Sequence, residues 1–182
     1  MTSKFLRSAV AILFFCAPAF AQQSAAPAAK PESNPISSHL RDDVADNAKN
    51  MVAAADEMPA DKYNFSPTPQ QMTFAHLMVH AVRLNYGVCS AISGQAKPDV
   101  KIAEADGKDK LVAALKVSFD YCTTALAKVD DSNLGDSLPF FGGRTISRGG
   151  MMMTLSAEFA DHYSMAAMYL RLNGLLPPTA KK

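Results

Sequence analysis

The chain has 182 residues, 48% of them hydrophobic and 19% charged, with 10 Met, 3 Cys and no Trp. That length and apolar content support one folded domain and exclude wholesale disorder. A formal net charge of +1 excludes the broad basic field of a nucleic-acid binder.

Residues 1–21 read as a secretory signal peptide. Lys4 and Arg7 form a positive start, residues 9–15 are apolar, and Ala19-Phe20-Ala21 is a small-x-small cleavage site. The apolar run is too short to span a bilayer. Phe14 and Phe15 stand before Cys16 where a lipoprotein signal has small residues. The sequence therefore predicts export to the periplasm or beyond, with cleavage near Ala21. Cleavage removes two cations and no acid, moving the formal charge from +1 to −1. It leaves Cys89 and Cys122 where disulfides form. Residues 22–35, rich in Ala, Pro, Gln and Ser, read as a disordered tether. Residues 36–178 are expected to form the folded domain and 179–182 a tail. The mature chain has no segment long and apolar enough to span a membrane.

Four amphipathic helices follow. In the first, 36–58, Ile36, Leu40, Val44, Ala48, Met51 (or Val52), Ala55 and Met58 recur every three or four residues, and Pro59 ends the run. Pro67 and Pro69 interrupt helix between the first two elements. Thr68 is the expected N-cap of the second helix, with Pro69 at its first position and Gln71 as capping-box partner. That helix runs to about Ser93 with the stripe Phe74, Leu77, Ala81, Leu84, Val88 and Ile92, and Gly94 stops it. The third, 108–129, faces inward through Leu111, Leu115, Phe119 (or Ser118), Cys122, Leu126 and Val129. A long connection then carries Leu138, Phe140 and Phe141, which are expected to pack on the helices. Its Gly142-Gly143, like Gly149-Gly150 beyond it, reads as turn chemistry. The fourth helix, 147–173, has the stripe Met151, Leu155, Phe159, His162, Ala166 and Tyr169 with Leu170, and ends at Gly174 before Pro177-Pro178. No period-two run stands out. The expected fold is all-α: a four-helix bundle of antiparallel neighbours, with one longer connection between helices 3 and 4.

Histidine is scarce. His39, beside the tether, reads as a solvated surface residue. His76 and His80 are four apart on the second helix, and Glu158 and His162 four apart on the fourth, so each pair shares a face. Two such pairs can converge inside a bundle to hold a divalent metal such as zinc, nickel or iron. The alternative is a core imidazole donating to a backbone carbonyl, with Glu158 solvated. Met151-Met152-Met153 reads as core filler rather than a soft-metal site. No phosphate loop and no zinc ribbon is present, and no catalytic residue is assigned.

The ordered set Met58-Pro59-Ala60-Asp61-Lys62-Tyr63-Asn64-Phe65, Thr73-Phe74-Ala75-His76-Leu77-Met78-Val79-His80 through Cys89-Ser90, Phe140-Phe141-Gly142-Gly143-Arg144-Thr145 with Arg148, and Asp161-His162-Tyr163 through Gly174 resembles the DinB-like superfamily in its secreted branch. The resemblance covers about residues 36–178. It implies a four-helix bundle, often a homodimer. It further implies a divalent-metal site with one His on helix 2 and two His four apart on helix 4. Carried over, these positions are His80, His162 and position 158, which is Glu here, with His76 as a substitute third ligand. Some relatives resemble transferases or isomerases that activate a small thiol. An exported protein meets few reduced cytosolic thiols, which favours metal-activated water or plain ligand binding.

Cys89 and Cys122 lie near the inner stripes of helices 2 and 3. They form either a disulfide closing about 34 residues, worth roughly 3–4 kcal/mol, or two buried thiols. The functional expectation is an exported metalloprotein, a hydrolase or transferase acting on an unknown small molecule. The alternative is a non-catalytic binding or interaction bundle whose metal is structural or absent.

Overall fold

The computed structural model describes residues 30–181. The signal-peptide reading and most of the tether lie outside them. Glu32–Lys182 is one compact unit, and the four helices of the described residues lie in it.

The four apolar stripes become the helices α1 (Pro35–Glu57), α2 (Phe74–Ser93), α3 (Lys108–Leu126) and α4 (Arg148–Leu172). Every stripe residue expected on helices 2 and 4 is buried; of the others, Ile36 is exposed, Ala48 is half-buried in the middle of α1, and the half-buried Val129 lies beyond α3, which ends three residues earlier than expected. Gly94 (φ 73°) and Gly174 (φ 75°) close α2 and α4 in the left-handed conformation.

The start of α2 differs from expectation. Its N-cap is Thr73, not Thr68: the Thr73 hydroxyl accepts from the His76 backbone N–H at 3.0 Å. Tertiary hydrogen bonds decide this. Phe74 N–H donates to Phe65 O at 3.0 Å and Ala75 N–H to Tyr63 O at 2.8 Å, fixing the chain that enters the helix. Residues 67–71 are bend and turn.

Helix direction differs too. α2 and α3 run parallel, not antiparallel. The link 94–107 returns along α2, with Ser90 bonded to Gln95, Arg83 to Ile102 and His76 to Glu104. Fully extended, that link reaches roughly 45 Å, enough to retrace a helix of about 30 Å. α1 packs on α3 and α4, and α2 on α3 and α4, so the chain crosses the bundle diagonally at the 58–73 and 127–147 connections. α1 and α4 are parallel. Both start at the 131–134 turn, where Asp131 accepts from the Ile36 and Ser37 amides and Leu134 O accepts from Gly149. Both end where Lys181 meets Glu57 at 2.7 Å. The pairs α1/α3 and α2/α4 run antiparallel.

The connection 127–147, the longest of the three, contains a small hairpin, β1 (Ser137–Pro139) with β2 (Thr145–Ser147), paired antiparallel with Leu138 opposite Ile146. Each strand is three residues long, too short to show a periodicity. Leu138 and Phe140 pack on the bundle, whereas Phe141 is 66% exposed. Gly149 and Gly150 lie within the first turn of α4, not in a turn before it. Gly150 suits the close approach of β2, because a Cβ there would sit 2.9 Å from Ile146 Cγ1 and force that side chain to shift.

Two cross-links join the parallel pair with the same sequence offset. Cys89 and Cys122 form a disulfide with Cα atoms 5.3 Å apart, and one turn away Asn85 donates to Ser118 Oγ at 2.9 Å. The C-terminal residues are docked: Tyr163 Oη and the Thr179 backbone N–H are 3.0 Å apart. Among the described residues no helix is long and apolar enough to cross a membrane.

Candidate metal centre

Because α2 and α4 are antiparallel neighbours, His80 of α2 faces Glu158 and His162 of α4. One ligand atom from each of the three residues lies within 4.8 Å of the other two. His162 Nε2 is 3.5 Å from Glu158 Oε2. The His80 and His162 rings meet edge to face, with centroids 4.9 Å apart and an 87° interplanar angle.

The two ends of the group differ in environment. His162 is 3% exposed, set between the buried Phe159 and Ala166. Burial first, and the neighbouring His80 second, push its pKa down to about 4, against a smaller upward pull from Asp161. Its imidazole is therefore neutral at physiological pH, the form that ligates a metal. Glu158 is half-buried and His80 reaches solvent.

The donor set fits a divalent ion. Two imidazoles and a carboxylate suit zinc, nickel or iron. Two donors on one tetrahedral zinc stand about 3.3 Å apart, so the spacing between His162 and Glu158 already matches.

His76 does not join this group. It faces outward, with Nδ1 2.7 Å from Glu104 Oε1, while Thr73 Oγ1 donates to Glu104 Oε2 at 3.0 Å. The hydrogen bond from His76 is the main cause holding the Glu104 carboxyl below its ordinary range. The triad fastens the 94–107 link to the start of α2. Glu104 lies 28 residues from His76 in the chain, with no local pattern to announce the pair. His39 is exposed on α1, its Nε2 3.7 Å from Asp43 Oδ2. Met151 and Met152 are buried and Met153 is exposed, so the methionine run is core and surface.

The family model for the DinB superfamily matches residues 44–166. The chain belongs to that superfamily. Solved structures carry the same bundle. A DinB-like protein from Bacillus subtilis is 18% identical with a TM-score of 0.61, over 82% of this chain and 99% of its own. A DinB-like protein from Bacillus cereus is 16% identical with a TM-score of 0.62, over 78% and 95%. A conserved protein from Enterococcus faecalis is 14% identical with a TM-score of 0.60, over 75% and 95%. At these identities the likeness is one of fold. No curated protein matches the chain. Within this DinB bundle the His80, Glu158 and His162 group could hold a metal ion.

Proposed function

We propose that this DinB-superfamily chain is an exported metalloprotein that holds a divalent cation with His80, Glu158 and His162 and acts on a small molecule as a hydrolase or transferase. The observation that carries the reading is the convergence of three donor atoms from two antiparallel helices within 4.8 Å. His162 supplies a rigid, neutral donor held by burial. Glu158, one turn away, supplies the charge that offsets the cation. The accessibility of His80 and Glu158 leaves one side of the group open to solvent, as a reactive site needs and a closed structural site lacks. A cation bound there lowers the pKa of a coordinated water or polarises a substrate oxygen.

In this reading residues 1–21 direct export and are removed near Ala21, residues 22–35 tether the domain, and the bundle spans 36–178. The Cys89–Cys122 bond supports an oxidising compartment. We also propose a homodimer; the exposed Met168 and Leu172, one turn apart on α4, offer apolar surface for it.

Protein purified without an affinity tag tests the cation. We expect one equivalent of zinc by elemental analysis after dialysis. At 100 times its dissociation constant, zinc adds about 2.7 kcal/mol of stability. His80→Ala and His162→Ala should each abolish both effects. Wild-type protein that takes up no cation, or variants that take it up unchanged, would refute the site.

A further inference from the structure

Down the same α2/α4 cleft lies a second feature. A cavity of about 240 Å³ is lined by Gly87, Val88 and Ala91 of α2, Met151 and Thr154 of α4, and Phe140 of the hairpin connection. It shares helix faces with the metal group. Gly87 is seven residues, close to two turns, from His80, and Thr154 is one turn from Glu158; antiparallel packing brings these shifts to the same end. By helical rise the cavity stands roughly 6–10 Å from the donor atoms. Its walls are nearly all carbon. The one hydroxyl, Thr154 Oγ1, already donates to Gly150 O at 2.9 Å.

Gly87 is the anomaly. A glycine inside a helix costs about 1 kcal/mol relative to alanine. Two ordinary reasons for accepting that cost are absent here. Its φ is not positive, so the backbone does not require glycine. A Cβ built on it meets nothing within 4 Å, so packing does not require glycine either, in contrast to Gly150. What the missing side chain provides is cavity space.

We propose that this slot is the specificity pocket of the metal site. It takes an aryl or short alkyl group, and Gly87 keeps it open. The proposal rests on the metal reading above for the position of the polar end of the ligand. The substrate class is then a small molecule joining an apolar body to a metal-binding group through a short linker. The volume suits this, since about 150 Å³ already accommodates benzene in an apolar cavity.

The test uses two probes on the intact mature protein, with Gly87→Leu to fill the slot and Gly87→Ala to add a single methyl. Propylbenzene, followed by ligand-observed NMR on metal-stripped protein, reads the slot alone. We expect binding to wild type, a loss of about tenfold or more in Gly87→Leu and a smaller loss in Gly87→Ala, with no fall in thermal midpoint for either variant. Wild type that does not bind propylbenzene, or folded variants that bind it equally, would overturn the slot. 4-Phenylbutyrate, titrated against zinc-loaded and stripped protein, reads the link between slot and metal. Tighter binding with zinc than without, and tighter binding than butyrate, supports it; equal affinities overturn it. Failure of zinc uptake itself rejects the metal site and leaves the propylbenzene result standing, so the two failures are distinguishable.

Discussion

Breaking the Cys89–Cys122 bond should lower stability by about 4 kcal/mol. The bond joins residues 33 apart in sequence. Closing a loop of that length removes roughly 12–13 cal/mol/K from the unfolded chain, which gives about 4 kcal/mol at room temperature. For a folded unit of this size each kcal/mol moves the thermal midpoint by about 2–4 °C, so the expected shift is about 8–15 °C. Both cysteines are 0% exposed, so a reductant reaches the bond only after unfolding. The comparison therefore needs wild-type protein denatured with reductant, refolded with free thiols, and melted by circular dichroism beside the untreated protein. This retains both sulfur atoms and isolates the cross-link from the cavity that Cys→Ala would leave. The oxidised form should also show a smaller dependence of stability on denaturant, because its unfolded state is more compact. Coincident melts would refute the entropic reasoning. Two free thiols titrated in untreated, denatured protein would show that the bond does not form.

Other expectations follow from the same structure. In metal-free protein the unfolded chain protonates His162 at about pH 6.5, whereas the folded state resists until about pH 4. Stability should therefore fall as pH drops through that window, by about 3 kcal/mol in all; denaturant melts of wild type and His162→Phe between pH 7 and 5 check this, and equal slopes would reject it. Gly150→Ala forces a Cβ to 2.9 Å from Ile146 Cγ1 and should cost about 1–3 kcal/mol in a thermal melt. Gly87→Ala should instead stabilise by about 0.5–1 kcal/mol in the same assay. His76→Ala removes a pair about half exposed on both sides, so it should cost less than about 1 kcal/mol and leave zinc uptake unchanged by elemental analysis.

The helices were legible because burial imposes a period of three to four residues on each of them. His162 falls on that period with Phe159 and Ala166, so its inward position was readable from spacing. Helix direction was not, because the 94–107 link is long enough either to turn at the end of α2 or to retrace it, and nothing in its composition separates the two. The start of α2 was not legible: the local chemistry points to Thr68 as the cap, whereas the hydrogen bonds that Phe74 and Ala75 donate to Phe65 O and Tyr63 O set the start at Thr73. In the site, the pairing of Glu158 with His162 is local and visible. The register of α2 against α4 sets His80 level with that pair, while His76, one turn away, bonds to Glu104, 28 residues off in the chain. The slot left one trace in the sequence, a glycine inside a strongly apolar helix.

The neighbour relations of α1 bear on the order in which the chain can fold. Its packing partners are α3 and α4, and its first amides are satisfied by Asp131. During synthesis from the N-terminus, α1 therefore emerges with its apolar face uncovered and its first turn uncapped. The two helices that pack on that face, α3 and α4, begin only at residues 108 and 148, and the cap arrives only at residue 131. A short isolated helix is marginal in water. The bundle can thus close around α1 only late, once α3, the 131–134 turn and α4 are in place.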